Sequence, residues 1–180
     1  YAIAPAVVGV MANYFFSERY GLLYHLFNDL WGFNWYQDVF DAYIYVIIAG
    51  SWKQISANFI FFLAGLQAIQ KTVIEASIID CKSNIRRFWT ITFPLLMPTT
   101  FFLIIINITY AFFDTFGIID TTTIGAPGSE TKTLVYKAYI DGFKGLDLGS
   151  AGAQSIMMML IVLVITIFQF RYIEGKIHYN

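Results

Sequence analysis

The chain has 180 residues, 58% of them hydrophobic, 19% aromatic and only 13% charged, a composition far from the soluble average that points to a polytopic α-helical membrane protein. A net charge of −1 argues against a nucleic-acid partner. A single cysteine, Cys81, excludes an intrachain disulfide and a Cys-rich metal site.

Apolar residues gather in four blocks, Tyr1–Phe16, Ala42–Leu66, Phe93–Phe113 and Ser150–Phe170, each near the roughly 20 helical residues that cross hydrocarbon. None alternates with the period of two expected of a barrel strand. The first block opens at Tyr1 already inside apolar sequence, without the basic region that precedes a signal peptide's core. The expectation is a chain lacking its N-terminal part. The connection after this block holds Trp31, Trp35 and Tyr36, amphipathic rings that suit a membrane interface.

The second block carries Lys53 near its middle, the one charge within the four blocks. An ionised side chain is expensive there and faces a cavity, a partner or a transport path, with snorkelling outward as the alternative. Gln54, Ser56 and Asn58 are polar neighbours, and Asn107 with Tyr110, i and i+3 on the third block, offers a second polar spot. Both sets also suit interhelical hydrogen bonding.

Between the second and third blocks the sequence turns polar, from Ile74 to Pro98. A short helix from Lys71 or Thr72 to Asp80, a turn at Cys81–Asn84 and a second helix over Ile85–Thr92 are expected. On that second helix Ile85, Phe88, Trp89 and Thr92 share one face, with Arg86 and Arg87 off it. Such a face fits lipid headgroups or a protein with an apolar pocket, and physics alone leaves both open. Glu75 and Asp80, five residues apart, lie about 140° apart on a helix and do not form a catalytic carboxylate pair.

The outer segment Asp114–Gly149 contains Gly125-Ala126-Pro127-Gly128, a turn, followed by an expected helix over Glu130–Tyr139. Orientation follows from the cations. Lys71, Lys82, Arg86 and Arg87 in the second connection, with Arg171 and Lys176 in the tail, mark the cytoplasmic side, and the first and third connections, net acidic, belong outside. The C-terminus is then cytoplasmic. His25 and His178 fall on opposite sides of the membrane, which removes a metal site or proton relay shared between them.

The polar loop also carries a family resemblance. Glu75-Ala76, Asp80, Phe88, Ile91, Pro94-Leu95 and Pro98 resemble the Glu-Ala-Ala loop of ATP-binding-cassette (ABC) importer permeases of the carbohydrate type. Trp52–Ser56 and Phe61–Ile69 look like the helix that enters that loop. Ala2–Val7, Tyr110–Asp114, Phe116, Asp120, Thr131–Tyr136, Gly142-Phe143, Gly145–Leu148 and Gln169–Glu174 are similar to the membrane subunits of bacterial sn-glycerol-3-phosphate importers.

The resemblance implies a type I ABC permease fold of which this chain carries about four of six membrane helices, as the C-terminal part of one transmembrane domain. It implies a permease subunit in the bacterial inner membrane that takes up sn-glycerol 3-phosphate or glycerophosphodiesters, or another sugar or polyol. Its partners would be a second permease subunit in a heterodimer, two copies of a cytoplasmic ATPase and a soluble binding protein that faces the outer segment. Glu75, Ala76, Asp80, Arg86, Arg87, Phe88, Pro94 and Pro98 would couple to the ATPase. Lys53, Gln54, Asn58, Asn107 and Tyr110 would line the path, the Lys53 ammonium suiting an anionic phosphate monoester. No cofactor is implied on the chain itself, ATP and Mg belonging to the partner ATPase.

The sequence departs from the family pattern at Ser77, Cys81 and Lys82, where the pattern has Ala, Gly and Ala. Cys81 matters most, because Gly accepts a positive φ at a helix end and Cys does not. Either the turn is remodelled or Asn84 takes the bend. Other function classes lack their signatures: the chain has no G-x-x-x-x-G-K-[ST] loop of its own, no acidic residue within the blocks for ion-coupled transport, and no Ser/His/Asp set for an intramembrane enzyme. A membrane-surface scaffold would use the same amphipathic loop.

Overall fold

In a computed structural model, which describes residues 3–81 and 83–173, the chain is helical and no strand occurs among the described residues. Expectations resting on Tyr1, Ala2, Lys82, Glu174, Lys176 and His178 lie outside that range. Helix α1 (Pro5–Phe15) is 11 residues long, and Pro5 sits at its start, where the missing N–H costs no helical bond. The connection that follows contains a helix that the composition did not announce, α2 (Leu22–Trp31). It ends on Gly32 in the left-handed region, φ 67°, whose N–H bonds Asn28 O at 2.8 Å.

The long helix α3 (Val39–Ala68) has 30 residues, about 45 Å, and is apolar enough to cross a bilayer. Asp38 caps it, its carboxylate accepting from Phe40 N at 2.7 Å and Asp41 N at 3.2 Å. Hydropathy located this span to within three residues at each end. Chain direction then breaks at Ile69-Gln70, both extended, and α4 (Lys71–Asp80) begins.

The third block is bent rather than straight. Helix α5 (Asn84–Arg87), a π-helical turn Phe88–Thr92 and α6 (Phe93–Leu95) form one arm, and α7 (Met97–Phe113) leaves it at 69°. Pro94 and Pro98 bracket the bend, and each removes an N–H from the helical ladder. The expected short helix Ile85–Thr92 therefore runs on into the following block, with its second half wound wider than an α-helix.

The outer segment folds as α8 (Phe116–Thr121), a turn region, α9 (Leu134–Tyr139) and a π turn Ile140–Lys144. The helix expected from Glu130 starts four residues later. Thr131 instead holds the turn, its buried hydroxyl donating to Ala126 O at 2.7 Å and sharing a hydrogen bond with the Thr123 hydroxyl at 2.9 Å. Helix α10 (Leu148–Ile173) is the second unbroken candidate span.

The core lies where α1, α2 and α3 meet. Phe16, Tyr45 and Trp35 stack with centroids 4.9 and 4.7 Å apart, and the Trp35 indole donates to Phe16 O at 3.1 Å. Trp35 is thus a core residue, while Trp31 and Tyr36 are exposed as interface rings would be. Helices α1 and α8 cross closely. A Cβ on Gly117 would stand 3.0 Å from Ala6 N, and one on Gly9 would overlap the Thr121 hydroxyl. Asn13 locks the crossing by donating to Thr121 O and accepting from the Tyr45 hydroxyl at 2.7 Å. Elsewhere α3 and α10 present Ile55, Phe59, Ile60, Leu160, Val164 and Ile167 outward, as lipid-facing helices do.

Candidate functional site

The two groups of candidate residues occupy separate regions. The polar residues of the spans converge on the seam between α3 and α7. Asn58 and Asn107 form a reciprocal amide pair, Asn58 Nδ2 donating to Asn107 Oδ1 at 3.2 Å and Asn107 Nδ2 to Asn58 Oδ1 at 2.9 Å. Asn107 Nδ2 also reaches Leu103 O at 2.7 Å. One helical turn toward the α1 side, the Lys53 ammonium lies 4.6 Å from the Tyr110 ring centroid, a cation–π contact. What reads in the sequence as two polar spots is one seam.

Gln54 lies between these pairs. It is only 5% exposed, and its Oε1 has no hydrogen-bond partner among the described residues; the same holds for the Tyr110 hydroxyl. Buried polar atoms in hydrocarbon are costly unless something meets them. Both residues line a cavity of about 530 Å³ with Lys53, Thr109 and Asp114, closed on one side by Ile3 to Pro5 at the start of α1. Lys53, Gln54 and Tyr110 thus face one cavity. Asn58 and Asn107 sit beside it, on smaller cavities that they share with Gln54.

Thr109 and Asp114 were not singled out from the sequence. Asp114 stands four residues after Tyr110 and seven after Asn107, a spacing that marks one helix face and could have found it. It was counted instead with the outer connection, because the apolar run ends at Phe113. Chemically the cavity offers one cation, one carboxylate, an amide oxygen and two hydroxyls, groups able to meet an anion bearing hydroxyls.

The second group lies on the arm formed by α4 to α6. Glu75 and Ala76 are exposed on α4, whereas Ser77 turns inward and its hydroxyl bonds Ile74 O at 2.6 Å. Asp80 closes α4, and its side chain lies outside what the structure describes. Cys81 is extended, φ −124° and ψ 105°, Ser83 is extended as well, and Asn84 opens α5 as a helical residue. Cys81 therefore needs no positive φ, and Asn84 stands in the helix rather than in a left-handed bend.

On the arm Ile85 is 74% and Trp89 60% exposed, Phe88 and Arg86 are exposed as well, and Arg87 is half-buried. Trp89 packs edgewise on Phe88, 5.2 Å between centroids, and against Phe93 at 5.1 Å. Arg87 donates to Asn84 Oδ1 at 3.0 Å. The π turn breaks the single i, i+3, i+4, i+7 stripe expected there, so Ile85 and the Phe88–Trp89 pair form a broader apolar surface. Pro94, exposed, and Pro98, half-buried, stand on either side of the bend.

Among the described residues, no group of three or more His, Cys, Asp or Glu is placed to hold a metal ion. Spans of this kind, with a polar seam within them and an exposed amphipathic arm at one end, fit a membrane transport component. The chain belongs to the family of binding-protein-dependent transport system inner membrane components, matched over residues 1–179, and has the type I ABC permease fold of that family. It is 52% identical over its whole length to the sn-glycerol-3-phosphate transport system permease protein UgpA of Rhizobium meliloti (strain 1021) and to that of Agrobacterium fabrum, covering 62% of each. To the protein of the same name from Escherichia coli O6:K15:H31 it is 48% identical, covering 61%. The chain thus spans about three fifths of the length of the curated relatives it matches.

Proposed function

We propose that the chain belongs to a permease subunit of an ATP-driven importer for sn-glycerol 3-phosphate or glycerophosphodiesters. The observation that carries this reading is 47–52% identity, across the whole chain, to proteins named as permeases of the sn-glycerol-3-phosphate transport system. The subunit works in the bacterial inner membrane with its C-terminus in the cytoplasm. It pairs with a second permease subunit to form a heterodimer, two copies of an ATPase that bind ATP and Mg, and a soluble binding protein that docks on the outer segment. The cationic arm and the net acidic outer connections support this orientation.

In this reading α4 to α6 seat in the ATPase through Glu75, Ala76, Asp80, Arg86, Arg87 and Phe88, and closure of the ATPase dimer rocks the spans between inward- and outward-open states. Lys53 meets the phosphate on the translocation path while Gln54 and Tyr110 meet the glycerol hydroxyls. A charge-assisted hydrogen bond between the Lys53 ammonium and a phosphate oxygen is roughly twice as strong as a neutral one.

The test uses the full-length subunit reconstituted with its partners. sn-Glycerol 3-phosphate with the binding protein should stimulate ATP hydrolysis, and Glu75→Gln should reduce uptake or release the ATPase. Stimulation by a neutral sugar and not by the phosphate ester would refute the substrate. Unchanged uptake and assembly in Glu75→Gln would refute the coupling role.

A further inference from the structure

We propose that Asp114 is a specificity-determining residue of the cavity between α3 and α7, its carboxylate accepting hydrogen bonds from the glycerol hydroxyls of an ester whose phosphate Lys53 holds. The proposal rests on the phosphate-ester reading above and adds the group that tells a polyol phosphate from other organic phosphates. Asp114 stands where its own helix disfavours an acid. It is the C-cap of α7, its N–H bonding Tyr110 O at 2.9 Å, at the end where free carbonyls concentrate negative charge and a cation is the stabilising neighbour. Local structure offers no compensation: among the described residues no hydrogen bond or ion pair reaches its carboxylate, which is exposed. A charge kept against local preference, on the wall of a cavity, points to a ligand.

A carboxylate in the wall of a cavity that receives an anion repels it unless the ligand also brings donors. Donor and acceptor arithmetic shows which. The Asp114 carboxylate, the Gln54 Oε1 and the Thr109 hydroxyl, whose proton is committed to Ile105 O at 3.0 Å, can only accept. Lys53 can only donate, and the Tyr110 hydroxyl can do either. The oxygens of an ionised phosphate have no proton to give and suit Lys53. The remaining acceptors ask for donors, and hydroxyls supply them. The same diol end is present in sn-glycerol 3-phosphate and in its diesters, so one carboxylate serves both.

Spacing agrees with this division. Asp114 follows Tyr110 by four residues, about 6 Å along α7, and the Lys53 ammonium sits over the Tyr110 ring. From phosphorus to the terminal hydroxyl oxygen, glycerol 3-phosphate has five bonds, about 6 Å when extended at the roughly 1.2 Å per bond of a backbone. One end of the ester can therefore meet Lys53 while the other meets Asp114. Burial gives the order. Lys53 is half-buried and Asp114 exposed, so the phosphate leads inward and the diol end stays at the mouth.

The experiment measures ligand binding to the full-length subunit, assembled with its membrane and ATPase partners in nanodiscs, by saturation-transfer NMR. The soluble binding protein is left out, so that the selectivity read belongs to the membrane part. The probes are sn-glycerol 3-phosphate and propyl phosphate, the same ester without its hydroxyls. Wild type should hold the glycerol ester at least about tenfold more tightly, because a site built to bond hydroxyls rejects the analogue lacking them. Asp114→Leu should bring the two within about threefold by weakening the glycerol ester, with Asp114→Asn between. Lys53→Met should weaken both esters alike. Equal affinity of the wild type for both esters, or an unchanged gap in Asp114→Leu, overturns the proposal. So does a loss of assembly in Asp114→Asn with the gap intact, which would pair the carboxylate with another segment of the complex. Binding of neither ester to the wild type, or of free glycerol as tightly as its phosphate, refutes the phosphate-ester reading instead.

Discussion

Replacing Asn58 and Asn107 by leucine, singly and together, separates a structural clasp from a transport site. The two side chains exchange hydrogen bonds of 3.2 and 2.9 Å across α3 and α7, but Asn107 Nδ2 also has Leu103 O at 2.7 Å. In Asn58→Leu the Asn107 amide nitrogen keeps its carbonyl and only Oδ1 is orphaned. In Asn107→Leu both polar atoms of Asn58 lose their partner. A buried group left unmet costs about 1–3 kcal/mol, so Asn107→Leu should be the worse single change, by about 1 kcal/mol. The double variant removes both amides at nearly conserved volume and should recover most of the loss. The coupling, the sum of the single losses less that of the double, should then be about 2 kcal/mol or more, above the average of about 0.6 kcal/mol for one membrane hydrogen bond because two bonds link this pair. Thermal unfolding of the assembled full-length complex in detergent reads this cycle. Additive single losses would refute the clasp, and a loss of transport in the double variant at wild-type stability would place both residues on the path.

Lys53→Met should weaken uptake of the phosphorylated substrate with assembly intact; wild-type uptake would remove Lys53 from the path. Gly9→Ala should destabilise the α1–α8 crossing by about 1–3 kcal/mol, as overpacking does, because its Cβ would meet Thr121 with Ile118 O only 3.1 Å away; a melting temperature equal to wild type would contradict the close approach. Cys81→Gly should destabilise by up to about 1 kcal/mol, since an extended residue gains nothing from glycine and the unfolded chain becomes freer. Restored or increased stability would mean that this turn does want a left-handed residue. Thr131→Val should cost about 1–3 kcal/mol, because it leaves the Thr123 hydroxyl and Ala126 O without their buried partner; hydrogen exchange of residues 122–133 would detect the loosening.

The apolar runs announced α3 and α10 because hydropathy reports the medium around a helix. They said nothing of the axis, and the bend at Leu96 was hidden inside a block that read as one span although Pro94 and Pro98 were visible in it. Helix α2 escaped because ten residues bearing His25, Asn28 and Asp29 fall below any spanning threshold, while its apolar arc serves the core and the exterior at once. Trp35 illustrates a related limit: its ring type suits an interface or a core equally, and only the Phe16 carbonyl across the fold decides. Of the seam, the residue types and their depth were legible, and the pairing was not. Lys53 meets Tyr110 and Asn58 meets Asn107 through the rotation of α3 against α7, a tertiary quantity.

The 69° bend at Leu96 makes the arm a lever with unequal limbs. Twelve residues from Asn84 to Leu95 give a limb of about 18 Å, and the 17 of α7 one of about 25 Å. A load at Ile85 and Trp89 acts across the axis of α7 and so reaches it as a torque, not as a push along its length. Tilting the short limb by about 10° moves its tip by roughly 3 Å, and if the bend is rigid the far end of α7, beside Asp114, swings by roughly 4 Å. Leu96 is well placed to keep the angle: it is buried, its carbonyl accepts the Thr100 N–H at 2.9 Å and hydroxyl at 3.0 Å, and its Cδ2 would lie 3.1 Å from any side chain added at Gly65. In the proposed coupling, the stiffness of that corner sets how much of a displacement at the arm arrives at the cavity.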